Sequence, residues 1–484
     1  MAHYLLLAVL TASATAAQSP FSALRSAATL AASRAALNST RRGAATLQRL
    51  GATPDQLAAP QQLHLGPGPA PGSSLRVTWA TAAPLPPNCS QAAFYAPADG
   101  SGGAPATAPA ASYTYSAGVG GWHGQLHSAL LTGLAPGVRY SYTVGGSSGC
   151  SPRSEPRAAV LPPARGMPSA YIAVAADMGT IVPLGWAVAD LIAEDTLEGP
   201  QPFDAMLLAG DHAYATVEPS SCSAANPGCD EVEWTWDAFG MQLEPIIDQV
   251  PLYSAVGNHE HVPGNITTNG TTIKSAFAAF EARYPMPVSA PGVFWWSSDI
   301  GPLHLVFMSS EHDFDVSSAQ WAWAQGDLAA VDRSATPWVA VVLHRPIYCA
   351  AVLEWADHSP GGKLAVALEP LLQAGGVDLV LQGHIHSFDR THAVRNGTVI
   401  QRGSGQGNAT YVNPGAPIYV VQGTSGALPE NVFFDPPPVW SAARNLGSFG
   451  YGRLHVNASA LAYEYVGLTG VVLDQFEIYK VSKK

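Results

Sequence analysis

The sequence predicts a large α/β domain preceded by a small, all-β sandwich, and three observations carry that prediction. Apolar runs at Tyr171–Ala176, Ala205–Ala209, Leu252–Val256, Leu303–Met308, Trp338–Leu343 and Val377–Leu381 alternate with helical stretches. Continuous apolar strands between helices belong to a parallel or mixed sheet covered on both faces. Nearer the N-terminus, Leu75–Trp79 and Val138–Val144 alternate with period two between Gly- and Pro-rich breaks, as the strands of a sandwich do. At 484 residues the chain also has the length for two or three domains.

At the N-terminus, residues 1–17 carry a short apolar core, Tyr4 to Leu10, followed by small residues through Ala17. This reads as a secretory signal peptide cut near Ala16 to Gln18. Residues 18–60 form an Ala-rich extension, helical or disordered. It holds Arg25, Arg34, Arg41, Arg42 and Arg49 and no acidic residue before Asp55, so an organelle transit peptide is the rival reading. The sandwich is expected over 61–155, with Ala96–Ala111 as a long loop inside it and Pro-rich Ser151–Pro163 as the linker. The α/β domain then spans 165–430. Its clearest helix is Lys363–Ala374, closed by Gly375 at the C-cap. The last segment, 431–484, is expected to pack on that domain.

Five cysteines leave one without a partner. Cys222 and Cys229 bracket a turn-rich loop that a disulfide could staple, and Cys89 and Cys150 can tie the sandwich together. Cys349 is then left as a buried small hydrophobe. Asn38, Asn88, Asn265, Asn269, Asn396, Asn408 and Asn457 each head an Asn-x-Ser/Thr triplet. Those triplets favour the signal-peptide reading and a secreted glycoprotein, extracellular or in a cell wall, with vacuole or plastid as the alternative destination. The 23 basic and 35 acidic residues give a formal charge of −12, which disfavours nucleic acid and anionic membranes as partners. No apolar run reaches the roughly 18 residues of a membrane span.

The chemistry sits where the apolar runs stop. Asp177-Met178-Gly179 follows the first, Gly210-Asp211-His212-Ala213-Tyr214 the second and Gly257-Asn258-His259-Glu260 the third. His344 follows Trp338–Leu343, and Gly383-His384-Ile385-His386 follows the last. Ligands of open α/β sheets collect beyond the carboxyl ends of strands, so five separate segments would deliver Asp, Tyr, Asn and His to one rim. Asp177, Asp211 and Tyr214 are hard oxygen donors suited to a strongly Lewis-acidic ion, whereas Asn258, His344 and His384 suit a borderline divalent ion. Asp211 lies between the two groups and can bridge them. Each motif alone is an ordinary turn or a solvated histidine pair. Their joint occurrence, in order and always at a strand end, is the signal. His123, His127 and the tryptophans Trp234, Trp236, Trp295, Trp296, Trp321 and Trp323 read as packing or surface residues. Glu260, His261 and His312 read as pocket lining or plain loop residues.

This set resembles the purple acid phosphatase branch of the metallophosphoesterases, over most of the chain. Pro60–Leu65 and Leu130–Tyr140 resemble the family's fibronectin-like N-terminal domain, and the stretch from Phe449 to Asp474 resembles its C-terminal strands. His344–Cys349 is similar to the large plant and animal-like members. The resemblance implies a β-sandwich metallophosphoesterase domain behind a fibronectin III-like one. It implies that Asp177, Tyr214 and His386 hold a ferric ion, that Asp211 bridges, and that Asn258, His344 and His384 hold divalent zinc, manganese or iron. His259 would be a catalytic group near the phosphate, outside the metal shell. One departure is visible. Where many plant members carry adjacent histidines, this chain has Ala351-Val352-Leu353-Glu354-Trp355, with His358 further on. The leaving group would then be protonated by His358, His259 or solvent.

Two cations about 3.5–4 Å apart clamp a phosphate and lower the pKa of bound water. The expectation is therefore an acid phosphatase acting on small phosphorylated substrates. Metal-bound hydroxide would attack phosphate monoesters, with His259 steadying the developing charge. The alternatives are a phosphodiesterase or nucleotide pyrophosphatase on the same metals, and a non-catalytic glycoprotein that binds metal or phosphate.

Overall fold

The computed structural model describes residues 53–101, 104–117, 122, 124–180, 183–197, 199, 201–215, 231–404, 408–429 and 431–481. The expected signal peptide, nearly all of the Ala-rich extension, His123 and the expected Cys222–Cys229 staple lie outside the described residues. The described chain begins with a short helix, Pro54–Ala58, closed by a capping box between Thr53 and Gln56.

Seven antiparallel strands follow. Their spatial order is Gln61–Pro67, Ser74–Thr81, Gln125–Thr132, Ala106–Ala117, Gln91–Pro97, Tyr140–Gly146 and Arg157–Ala159. They enclose a core that includes Leu65, Val77, Trp79, Ala93, Leu131 and Val144. Cys89 and Cys150 are joined, and Cys349 is free and buried. His127 is a packing residue, with Thr81 and Ser112 hydroxyls on its two ring nitrogens.

Two expectations are corrected here. From Ala106 onward the Ala96–Ala111 stretch is strand, not loop, because it finds a neighbour on each side: Ala92 pairs with Pro109 and Ala110 with Ala129. Pro109, which lacks an N–H, sits where the strand passes from one neighbour to the next. The Ser151–Pro163 linker also contributes an edge strand, Arg157–Ala159, to the sheet. A hairpin from much later in the chain, Gly264–Thr268 with Thr271–Ser275, extends the same sheet by pairing with residues 113–117.

Besides a small hairpin, Ala393–Arg395 with Thr398–Gln401, two seven-stranded sheets make the rest of the described strands. One runs parallel through Leu252–Ala255, Ala205–Ala209 and Ser169–Ala175. Gly450–Asn457, Ala460–Gly467 and Val472–Tyr479 continue it antiparallel. These C-terminal strands do more than pack on the domain, since they complete its sheet. The other sheet runs parallel through Leu303–Phe307, Trp338–Val342, Leu379–Gln382 and Ile418–Gln422.

Side chains sort by the two-residue period. Ile172, Val174, Trp338, Ala340 and Val342 enter the core between the sheets. Ala173 and Ala175 turn outward toward helices Pro183–Leu197 and Glu231–Ile247, and Val339 and Val341 toward Ala319–Ala330 and Lys363–Ala374. Burial on both faces is why these strands read as unbroken apolar runs. The α/β expectation takes the form of two mixed sheets packed face to face with helices outside.

Candidate metal centre

The parallel strands of both sheets end at one rim. In the first sheet, Ser169–Ala175 leads to Asp177, Ala205–Ala209 to Asp211 and Tyr214, and Leu252–Ala255 to Asn258 and His259. In the second, Trp338–Val342 leads to His344 and Leu379–Gln382 to His384 and His386. The seven expected ligand residues are brought together. The Tyr214 hydroxyl lies 2.9 Å from Asp177 Oδ1 and 2.7 Å from His386 Nε2. His344 Nε2 lies 3.1 Å from Asp211 Oδ2 and 3.0 Å from Asn258 Oδ1. Ligand atoms of Asp211, His344 and His384 fall within 4.8 Å of one another. Backbone bonds tie the two groups together: His384 N donates to Asp177 Oδ2 at 2.8 Å, and Met178 N to the Asp211 carbonyl at 3.2 Å.

The backbone is strained where it aims these donors. Asp177, Asp211, Tyr214 and His384 have φ of 56°, 49°, 54° and 69°, a region that costs a non-glycine residue about 1–3 kcal/mol. The flanking glycines make room at two positions. A Cβ on Gly257 would stand 2.3 Å from Asp211 Oδ1, and one on Gly383 would stand 2.4 Å from Asp177 Oδ2. Space beside the carboxylates is what those two positions require.

Charge is balanced by protons in the protein alone. Burial by itself would raise Asp211, yet His344 beside it holds the carboxyl below its usual range. Burial would lower His344, and Asp211 lifts it to about 10. Burial also raises Asp177 to about 6 and pushes the Tyr214 phenol far up, while it lowers His384 to about 4. Two rings are held in register by carbonyls: His344 Nδ1 meets the Ala209 oxygen at 2.9 Å and His386 Nδ1 the Leu428 oxygen at 2.7 Å. A carbonyl only accepts, so each Nδ1 carries hydrogen and each Nε2 is the atom presented to the centre.

Three stretches of the chain match described families. Residues 60–158 match the purple acid phosphatase N-terminal domain, 171–388 the calcineurin-like phosphoesterase, and 416–475 the iron/zinc purple acid phosphatase-like protein C. Human acid phosphatase type 7 is 31% identical over 420 residues, 82% of this chain and 85% of that one. The chain belongs to the purple acid phosphatase family. Purple acid phosphatase 18 of Arabidopsis thaliana is 28% identical over 406 residues, 82% of this chain and 79% of its own. The structure of purple acid phosphatase PPD1 from yellow lupin (Lupinus luteus) seeds shares the fold. Its TM-score is 0.73 at 23% identity, covering 87% of this chain and 75% of that one. As a purple acid phosphatase, this chain is a phosphatase of an iron/zinc family with a dinuclear metal site.

Two residues of this purple acid phosphatase's site carry more than their sequence context indicates. Glu260 is wholly buried, and its carboxylate accepts from the backbone N–H groups of Asp211, His212 and Gly257, each at 2.8 Å. The signal for it is the three-residue spacing from Gly257, the carboxylate half of a capping box. Glu354 belongs to the Ala351–Trp355 stretch, which lacks the adjacent histidines of many plant members. Its Oε2 is 3.0 Å from His384 Nε2 and 3.2 Å from His358 Nε2. His358 therefore does turn inward, but onto Glu354, with its Nδ1 on the Pro346 carbonyl at 2.7 Å. Neither His261, which is exposed and packs on Phe277, nor His312, bonded to Ser309 and stacked on Phe294, makes a hydrogen bond to the seven.

Proposed function

We propose that Asp177, Tyr214 and His386 hold a ferric ion, that Asp211 bridges, and that Asn258, His344 and His384 hold divalent zinc, manganese or iron. On that centre the enzyme hydrolyses phosphate monoesters. The observation that carries this reading is the surroundings of His344 Nε2. With Nδ1 committed to a carbonyl, Nε2 points at two acceptors, Asp211 Oδ2 at 3.1 Å and Asn258 Oδ1 at 3.0 Å. Such a convergence needs a positive centre between the three atoms, a proton in the protein alone or a metal ion. Asp177, Tyr214 and His386 repeat the pattern with a carboxylate and a phenol, donors that suit a trivalent ion. The residues fit the group. When bound, a metal pair offsets phosphate charge and acidifies coordinated water.

The chain's own side chains do the rest. His259 has its backbone N–H on Asp211 Oδ1 at 2.9 Å, and its ring lies 4.4 Å from that of Tyr214. The side chain is 29% exposed, so it reaches the open side of the rim, where it donates a hydrogen bond to a phosphate oxygen as charge develops. Glu354 orients the His384 ring from outside. Glu354→Ala is expected to weaken divalent-metal binding about 10–100-fold, read by metal titration. The thermal midpoint should hardly change, because the Glu354 side chain is 40% exposed.

The protein, with both sites filled, should absorb in the green through a tyrosinate-to-iron band. Tyr214→Phe should lose that band and its iron while keeping its fold by circular dichroism. Rates on an aryl monoester should exceed those on a diester and on ATP. No phosphatase activity from acid to neutral pH at full metal occupancy would overturn the reading. The same reading takes the protein through the secretory pathway, supported by the Cys89–Cys150 disulfide and by sequon asparagines at the surface, such as Asn88 and Asn265. Among the described residues no helix is long and apolar enough to cross a membrane.

A further inference from the structure

Two Asn-Gly-Thr triplets occupy the same kind of turn. Asn269 and Gly270 (φ 49° and 78°) join strands Gly264–Thr268 and Thr271–Ser275, and Asn396 and Gly397 (φ 47° and 68°) join Ala393–Arg395 and Thr398–Gln401. Both are two-residue hairpin turns with positive φ at each position, and both asparagines are exposed. Their surroundings differ. A Cβ on Gly270 would meet nothing within 4 Å, whereas one on Gly397 would meet Pro360 at 2.7 Å.

Asn396, Gly397 and Thr398 all line a surface groove of about 530 Å³. Its other walls include Trp355, Phe434, Trp440, Pro360, Pro436 and Pro438. Trp355 packs edge-on to Phe434 at 4.6 Å and parallel to Trp440 at 6.1 Å. Trp355 and Phe434 remain only half-buried, so aromatic surface is open to the groove. The turn itself is anchored, with Asn396 N on Glu369 Oε1 at 3.1 Å and Gly397 N on the Tyr348 hydroxyl at 2.9 Å.

We propose that Asn396 carries an N-linked oligosaccharide whose first sugars lie in this groove, against Trp355 and Phe434. The volume is within the range of about 300–1,000 Å³ that holds a small organic ligand. The C–H faces of a pyranose suit flat aromatic and proline walls. Because the sugar is tethered at the groove's edge, its effective concentration there is of millimolar order, and weak contacts are enough to seat it. Trp355 directly follows Glu354, so the seated sugar also braces the loop that orients His384.

The inference rests on passage through the secretory pathway, and Asn269 serves as the internal control. The full chain is secreted from a eukaryotic host, occupancy is read by peptide mass spectrometry, and native deglycosylation by peptide N-glycosidase is timed at each site. Asn396 should be occupied, and its glycan should be released at least tenfold more slowly than that of Asn269. Val439→Asp, at a groove residue that is 69% exposed, should narrow that gap without altering the fold, and equal rates should return on denaturation. An occupied Asn269 with a bare Asn396 overturns this inference alone. No occupancy anywhere overturns it together with the secretory reading. Equal native release rates show a glycan that ignores the groove, and also overturn it.

Discussion

Asp211→Asn is expected to lower kcat on a phosphate monoester by a factor on the order of 10³ or more and to empty the divalent site. One oxygen of Asp211 faces His344 Nε2 at 3.1 Å, and the other accepts the His259 N–H at 2.9 Å. An amide keeps one acceptor but no charge, and it cannot serve two cations as a carboxylate does. The fold should survive, since the His259 N–H keeps an acceptor. Thermal midpoint, metal content and steady-state rate together check the prediction. Unchanged metal content with full activity would exclude Asp211 from the centre.

The same substitution has a pH signature in metal-free protein. His344 is lifted to about 10 against an ordinary value of about 6.5. Its contribution to stability is therefore complete below about pH 6.5 and is lost as pH rises through 10. Asp211 is depressed, so its contribution is present above the ordinary carboxylate value and is lost as pH falls through the lower folded one. The gap in thermal midpoint between wild type and variant should be widest near pH 5–6 and should close toward pH 10. In the wild type, metal uptake at pH 7 should expel the His344 proton into solution, which a pH indicator in weakly buffered medium would register. Uptake without proton release would contradict the ion pair.

Glu260→Ala is expected to destabilise the protein by about 3–9 kcal/mol, because three buried backbone N–H groups lose their acceptor at once and each unsatisfied donor costs about 1–3 kcal/mol. Those donors belong to Gly257, Asp211 and His212. One carboxylate thus ties the loop bearing Asn258 to the loop bearing Asp211, which are separated by 49 residues at that bond. The midpoint should fall by about 10 °C, and metal affinity should fall with it as the two loops part. Glu260→Gln retains one acceptor oxygen and should recover part of both losses. A melt within about 2 °C of wild type would show that other groups close the gap.

Local patterns made much of this protein legible. Asp177, Asp211, Asn258, His344 and His384 were visible because each follows an apolar run at a strand's end, where a parallel sheet delivers its ligands. Tyr214 and His386 were visible as close neighbours of those motifs in the chain. Glu260 has a local signal only in its spacing from Gly257, since its partners at Asp211 and His212 are set by folding. Glu354 had no local signal. Its bond to His384 spans 30 residues, and only the packed loop brings that carboxylate onto the ring.

Apolar periodicity and strand-end motifs were enough to specify the two kinds of domain, the candidate donors and their order along the chain, because those features depend on neighbours within about ten residues. Packing settled the remainder. The Gly264–Ser275 hairpin joins the N-terminal sheet, the C-terminal strands complete the sheet that bears Asp177, and Asp177, Asp211, Tyr214 and His384 are held with positive φ. Each of these is favourable only through contacts made across the folded chain, and no local stretch contains the residues that repay its strain or its pairing.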